Sequence, residues 1–280
     1  MMETRSRVTI FRRVVVGFRD TSESLSSLEA AARFAQRFDT ALLGLFIEDA
    51  ALMAWSGSRE LRHVSRAPAG HAEMTPERLA EDFAAAAAVV RQRFVRVAAE
   101  LGLSAEFHVE RAGAGALEFP GIGPQDLLVV AEPADPMARF SYPFRGALQA
   151  IALSAVPVLY FPHRAVQRTG PVVAILRPED AEIGEVAADI ASALGETVTA
   201  FHIGSSRDAP PASREPGAQP AARTVLPSAE GIRDALATVR ECLIVISRAA
   251  LPIDDPLLFA TIASERMTPV LVLGPAAVPR

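Results

Sequence analysis

The sequence contains no lysine and no asparagine, so its 28 strong bases are all arginine. A GC-rich genome that avoids AT-rich codons accounts for the bias. Its chemical consequence is that a lysine Schiff base, a Walker-type lysine and a catalytic asparagine are excluded. Cysteine occurs once, as Cys242, so neither an internal disulfide nor a CxxC metal site can form. Free cysteine packs as a small hydrophobe, and Cys242 is expected as a buried core thiol. Excess positive charge is missing as well. The net charge is −5, and residues 1–165 hold 18 arginines against 19 acids while the remainder holds 10 against 14. Neither half offers the basic surface that a phosphate backbone requires, so no nucleic-acid partner is expected. The apolar stretch 147–161 is too short to span a bilayer and contains Pro157. Residues 1–13 are polar and arginine-rich, without the apolar centre of a signal peptide. A cytoplasmic location without a membrane partner is the expectation.

What the chain does contain, it contains twice. Arg13-Val14-Val15-Val16-Gly17-Phe18-Arg19 is followed by a helix-like run and then Ala41-Leu42-Leu43-Gly44-Leu45-Phe46. Pro171-Val172-Val173-Ala174-Ile175-Leu176-Arg177 is followed by another such run and then Val198-Thr199-Ala200-Phe201-His202-Ile203. The endings repeat too. Asp126-Leu127-Leu128-Val129-Val130 leads to Pro157-Val158-Leu159-Tyr160-Phe161, and Cys242-Leu243-Ile244-Val245-Ile246 leads to Pro269-Val270-Leu271-Val272-Leu273. A repeat this long predicts two related domains, 8–165 and 170–280.

Short continuous apolar runs predict strands buried on both faces. Between the first two, Leu25, Leu28, Ala32 and Ala35 fall at helical spacing behind possible caps Thr21 and Ser22. In the second half Ile183, Val186, Ala187, Ile190 and Leu194 form the equivalent stripe, with Gly195 at a C-cap position. Strand, helix and strand at this spacing predict right-handed parallel crossovers. Residues 50–75 read as a loop. A long alanine-rich helix is predicted from Pro76 to about Leu101, with proline suited to its first turn. Residues 205–223 are rich in Pro, Ala and Ser, and a flexible loop is expected there. The predicted fold class is α/β, with two doubly wound, five-stranded parallel-sheet domains in tandem.

These residues resemble the universal stress protein family in its tandem form. The likeness rests on the first strand and helix, on the second strand entering Phe46-Ile47-Glu48-Asp49, and on the paired endings Pro157-Val158-Leu159 and Pro269-Val270-Leu271. It implies an adenine-nucleotide alpha hydrolase-like fold and pairing of the last strands, here within one chain. A homodimer stays open. ATP-binding members carry an Asp after the first strand and a Gly-x2-Gly-x9-Gly-Ser/Thr signature after the fourth. This chain has Arg19 and Arg177 at the Asp positions. After the fourth strands it reads Ala131-Glu132-Pro133-Ala134-Asp135-Pro136 and Ser247-Arg248-Ala249-Ala250-Leu251-Pro252. Phe144-Arg145 stands where the final Gly-Ser is expected, with Gly146 beyond. Without those glycines backbone amides cannot close around phosphates, so ATP binding of the usual kind is not expected.

The ligand-binding candidates are Arg19, Asp20, Glu132, Arg145, Arg177 and Arg248. Arginines at strand ends suit a small anionic ligand, and the alternative to a non-binding module is a nucleotide- or anion-binding stress protein that uses Arg19, Arg145, Arg177 and Arg248 in place of the glycine loop. The competing reading is that they pair with nearby acids: Arg19 with Asp20 or Glu132, and Arg177 with Glu179, Asp180 or Asp254. Met53, Trp55 and Leu61 make the 50–75 loop either a lid or docking surface, or a segment tucked against its own protein. His63 and His71, with Glu60 and Glu73, match no metal-ligand spacing. No nucleophile motif is present, and Gly113-Ala114-Gly115 reads as a turn. The expectation is a non-catalytic module with no cofactor and no metal. It would act on an unidentified protein partner or a small ligand.

Overall fold

The computed structural model describes residues 10–18, 25–56, 62–63, 72–73, 75–112, 121–140, 142–166, 169–204, 223–252 and 254–274. The first half runs β1 (Arg13–Phe18), α1 (Leu25–Arg37), β2 (Ala41–Asp49), α2 (Ala50–Trp55), β3 (Arg62–His63), β4 (Ala72–Glu73), α3 (Pro76–Glu100), β5 (Ala105–Ala112), β6 (Asp126–Ala131), α4 (Pro136–Phe140), α5 (Tyr142–Leu153) and β7 (Val158–Phe161). The second runs β8 (Val172–Leu176), α6 (Ala181–Leu194), β9 (Val198–Ile203), β10 (Arg223–Val225), α7 (Ala229–Ala237), β11 (Leu243–Ser247), a 3-10 turn (Arg248–Ala250), α8 (Leu258–Arg266) and β12 (Val270–Leu273).

The halves share one ten-stranded sheet of order β10-β9-β8-β11-β12-β7-β6-β1-β2-β5. Neighbours within each half are parallel, and the halves meet where β12 runs antiparallel to β7, with Leu271 opposite Leu159. The architecture is α/β, with a large and mostly parallel sheet. Alternate side chains of each strand feed opposite faces. On one face Leu159 and Leu271 join a single core with Val14, Phe94, Val172 and Ile190. On the other, Tyr160 meets Phe259 edge-on across the join, at 5.8 Å between ring centres. Hydrophobic packing is therefore continuous from one half to the other.

Helix ends follow their capping chemistry. Thr75 Oγ1 accepts from the Arg78 amide, and Pro76 opens α3. Gly195 ends α6 with φ 75°, the left-handed value a C-terminal glycine supplies. Thr21 and Ser22 lie outside the described residues, as do residues 205–222 of the expected loop, whose last residue, Arg223, instead begins β10. Two expectations need correction. The 50–75 stretch is not all loop: residues 50–55 are helix, because Asp49 Oδ1 caps the turn by accepting from the Ala51 and Leu52 amides, and 62–63 pair antiparallel with 72–73. Cys242 is half-buried rather than enclosed, because it precedes β11 at the rim of the core.

At the N-terminal end of β6 the wholly buried Asp126 is gripped by two arginines. It accepts from Arg12 Nε and Nη2 at 2.9 Å each, from Arg13 Nε at 3.1 Å and from the Gly123 amide at 2.9 Å. Burial works against its charge, but the bonds from Arg12, Gly123 and Arg13 outweigh it and hold the carboxyl below its ordinary value of 3.8. A depressed folded-state pKa contributes stability that is complete above the ordinary carboxylate range and is lost as pH falls through the lowered value. Urea midpoints measured from pH 6 down to pH 2 are expected to fall more steeply in the wild type than in Asp126→Asn. Parallel profiles would remove this role.

Candidate functional site

In open α/β sheets ligands settle at the C-terminal strand ends where the strand order reverses. Here those places lie between β1 and β6 and between β8 and β11. Because β7 and β12 run antiparallel, the two clefts open at opposite edges of the sheet. The loop after the fourth strand begins with Glu132 in one and with Arg248 in the other.

Glu132 is 9% exposed, and the protein itself occupies its carboxylate. Oε1 lies 3.1 Å from Arg139 Nη1 and 3.1 Å from Ser264 Oγ, whose one proton it shares with the Ala260 carbonyl at 2.9 Å. Oε2 accepts from the His163 amide at 2.8 Å. Ser264 belongs to α8 of the other half, so this carboxylate ties the halves together. Burial and the charge of Glu132 together push the neighbouring Tyr160 phenol up.

Arg248 also crosses the join: its Nη2 donates to the Val156 carbonyl, just before β7, at 2.9 Å. Its Nε and Nη1 are buried and find no partner among the described residues, and neither does the buried Oγ of Ser247. Burial pushes the guanidinium down to about 10. The equivalent positions after β6 and β11 thus hold one saturated acid and one under-used base.

The remaining candidates are dispersed. Arg177 stands 3.7 Å from Glu179, with both side chains well exposed, so the pair is worth little. Its amide donates to Asp180 Oδ2 at 2.8 Å in the turn that starts α6. Arg145 is exposed on α5. Arg19 and Asp20 lie outside the described residues, as do Glu60, Leu61, His71 and the Gly113-Ala114-Gly115 segment. Trp55 stands on α2 with 64% of its surface exposed.

Two groups had no signal in our reading of the sequence. Arg139 lies in α4, and Ser264 becomes a partner only because the halves join. Glu241, wholly buried before β11, accepts from Arg266 Nε and Nη2 at 2.9 Å each. The repeat did not mark that acid, since it sets Asp126 opposite Cys242 and Glu241 one residue earlier. Burial pushes the Cys242 thiol up to about 11, with Glu196 adding to it, which suppresses the reactive thiolate. Among the described residues no cluster of His, Cys, Asp or Glu could hold a metal ion, and no helix is long and apolar enough to cross a membrane.

No protein-family model matches the sequence, and no curated protein matches it. Solved structures do. A universal stress protein from Archaeoglobus fulgidus aligns over 94% of this chain and 97% of its own, with TM-score 0.60 and 11% identity. A functionally unknown protein from Pseudomonas aeruginosa aligns over 95% and 93%, with TM-score 0.53 and 14% identity. At such identities the likeness speaks for the fold, and the chain has the fold seen in universal stress protein structures.

Proposed function

We propose that the protein is a non-catalytic module of universal-stress-protein-like fold. It acts by contact with a protein partner or by sensing a small ligand, and it does not hold ATP in a glycine loop. The observation that carries this reading is the filling of the loop after β6, together with the absence of glycine from both loops after the fourth strands. A phosphate cradle needs bare backbone and free amides. Glu132 instead places a buried carboxylate there, already held by three partners of its own.

The test is native mass spectrometry of protein purified from cells, followed by thermal shift with millimolar ATP and AMP. Neither nucleotide is expected to be retained, nor to raise Tm. A co-purified nucleotide, or a Tm that climbs with ATP concentration, would overturn the reading. A second reading, a small-anion site, has its own support in the unused donors of Arg248.

A further inference from the structure

We infer that Arg248 is the floor of a binding site for a small carboxylate, placed where the two halves join. The inference rests on the small-anion reading above and names its ligand class.

The first argument is donor geometry. A guanidinium carries five N–H groups in one plane. Nη2 has two hydrogens, and the Val156 carbonyl takes one of them. The other points toward either Nε or Nη1, and both of these are buried without a partner among the described residues. Whichever hydrogen Val156 uses, one complete two-donor edge of the fork is left. That edge matches the two oxygens of a carboxylate. Gly274, first after β12, flanks the group without a side chain: a Cβ built there would lie 3.5 Å from Nη1. The preceding Ser247 is wholly buried, and its hydroxyl is likewise without a partner among the described residues.

The second argument is charge. A buried cation without a counter-charge is strongly unfavourable. Other half-buried arginines have acids: Arg13 has Asp126, Arg139 has Glu132 and Arg266 has Glu241. Arg248 has none among the described residues, and burial is the one cause acting on its proton affinity. One positive charge is balanced by one negative charge. A carboxylate meets that condition, whereas a phosphate monoester carries nearly two charges near neutral pH.

The experiment is thermal shift and calorimetric titration of the full chain with sodium formate and sodium acetate. Sodium phosphate and ATP run in parallel, all at fixed ionic strength in carboxylate-free buffer. Expected is a saturable calorimetric isotherm with formate or acetate, and a rise in Tm of roughly 2–3 °C for each tenfold excess over Kd. Arg248→Met is expected to abolish the rise and, without anion, to melt no lower than the wild type. Arg248→Lys keeps the charge but loses the two-donor edge, so at least a tenfold weaker Kd is expected; an unchanged Kd would remove the fork argument. A response to phosphate alone would overturn the carboxylate class and leave the anion reading standing. Silence toward every anion would overturn both. A response to ATP that survives in Arg248→Met would overturn the proposed function and assign the nucleotide elsewhere.

Discussion

Arg266→Ala is expected to cost about 3–5 kcal/mol of folding stability, the usual result of stripping one partner from a buried ion pair. Glu241 is wholly buried and accepts two parallel bonds from Arg266. The same guanidinium donates to the Val239 carbonyl at 2.7 Å. Arg266 is the last residue of α8, and Glu241 lies just before β11, so the pair fixes the helix to the strand beside the join. Without the guanidinium the carboxylate stays enclosed by protein with its charge unanswered. The fall in Tm should be roughly 5–9 °C for a chain of this size. Replacing both members, Glu241→Gln with Arg266→Met, removes the charge with its partner and should cost less than Arg266→Ala alone. Urea denaturation of the three proteins separates these outcomes. Equal losses in the single and double variants would show that shape, and not charge, is what the pair supplies.

Phe94→Ala is expected to cost a similar amount, about 3–5 kcal/mol, through the cavity it leaves. Phe94 is 1% exposed on α3. Its ring meets Phe18 edge-on at 6.3 Å and Phe107 at 5.5 Å. It lies over Gly44 of β2, where a built Cβ would come within 2.8 Å of its ring and 2.7 Å of Phe107. Gly44→Ala alone should therefore cost about 1–3 kcal/mol by overpacking. The two effects are coupled, because truncating Phe94 opens room beside residue 44. The double variant should lose less than the sum of the singles, by on the order of 1 kcal/mol. Strict additivity in chemical denaturation would show that Phe107 alone sets the limit at Gly44.

Most strands of the large sheet were legible because a doubly buried strand writes itself as an unbroken apolar run, as in Val14-Val15-Val16 and Ile244-Val245-Ile246. The helix starting at Pro76 was legible from its proline and its length. The helix after Asp49 was not, since one aspartate closes a strand and caps a helix at once. At the candidate site the sequence marked Glu132 and Arg248 but not their partners. Ser264 is 132 positions from Glu132, and only the meeting of β7 and β12 brings it near. Arg248 binds a backbone carbonyl, which every residue carries and which leaves no trace in residue identity. Its unused donors are a property of what surrounds it, visible only in three dimensions.

The antiparallel meeting of β7 and β12 has one more consequence. Two identical chains joined about a two-fold axis must present the same residue at both ends of their contact. An acid that suits one end would then be imposed on the other. Within a single chain that symmetry requirement is lifted, and the contact is present at any concentration. Glu132 and Arg248 occupy corresponding ends of this join with opposite charge and different partners. One end can serve as a permanent internal clasp while the other stays chemically open, a division of labour that a homodimer built on the same strands could not achieve.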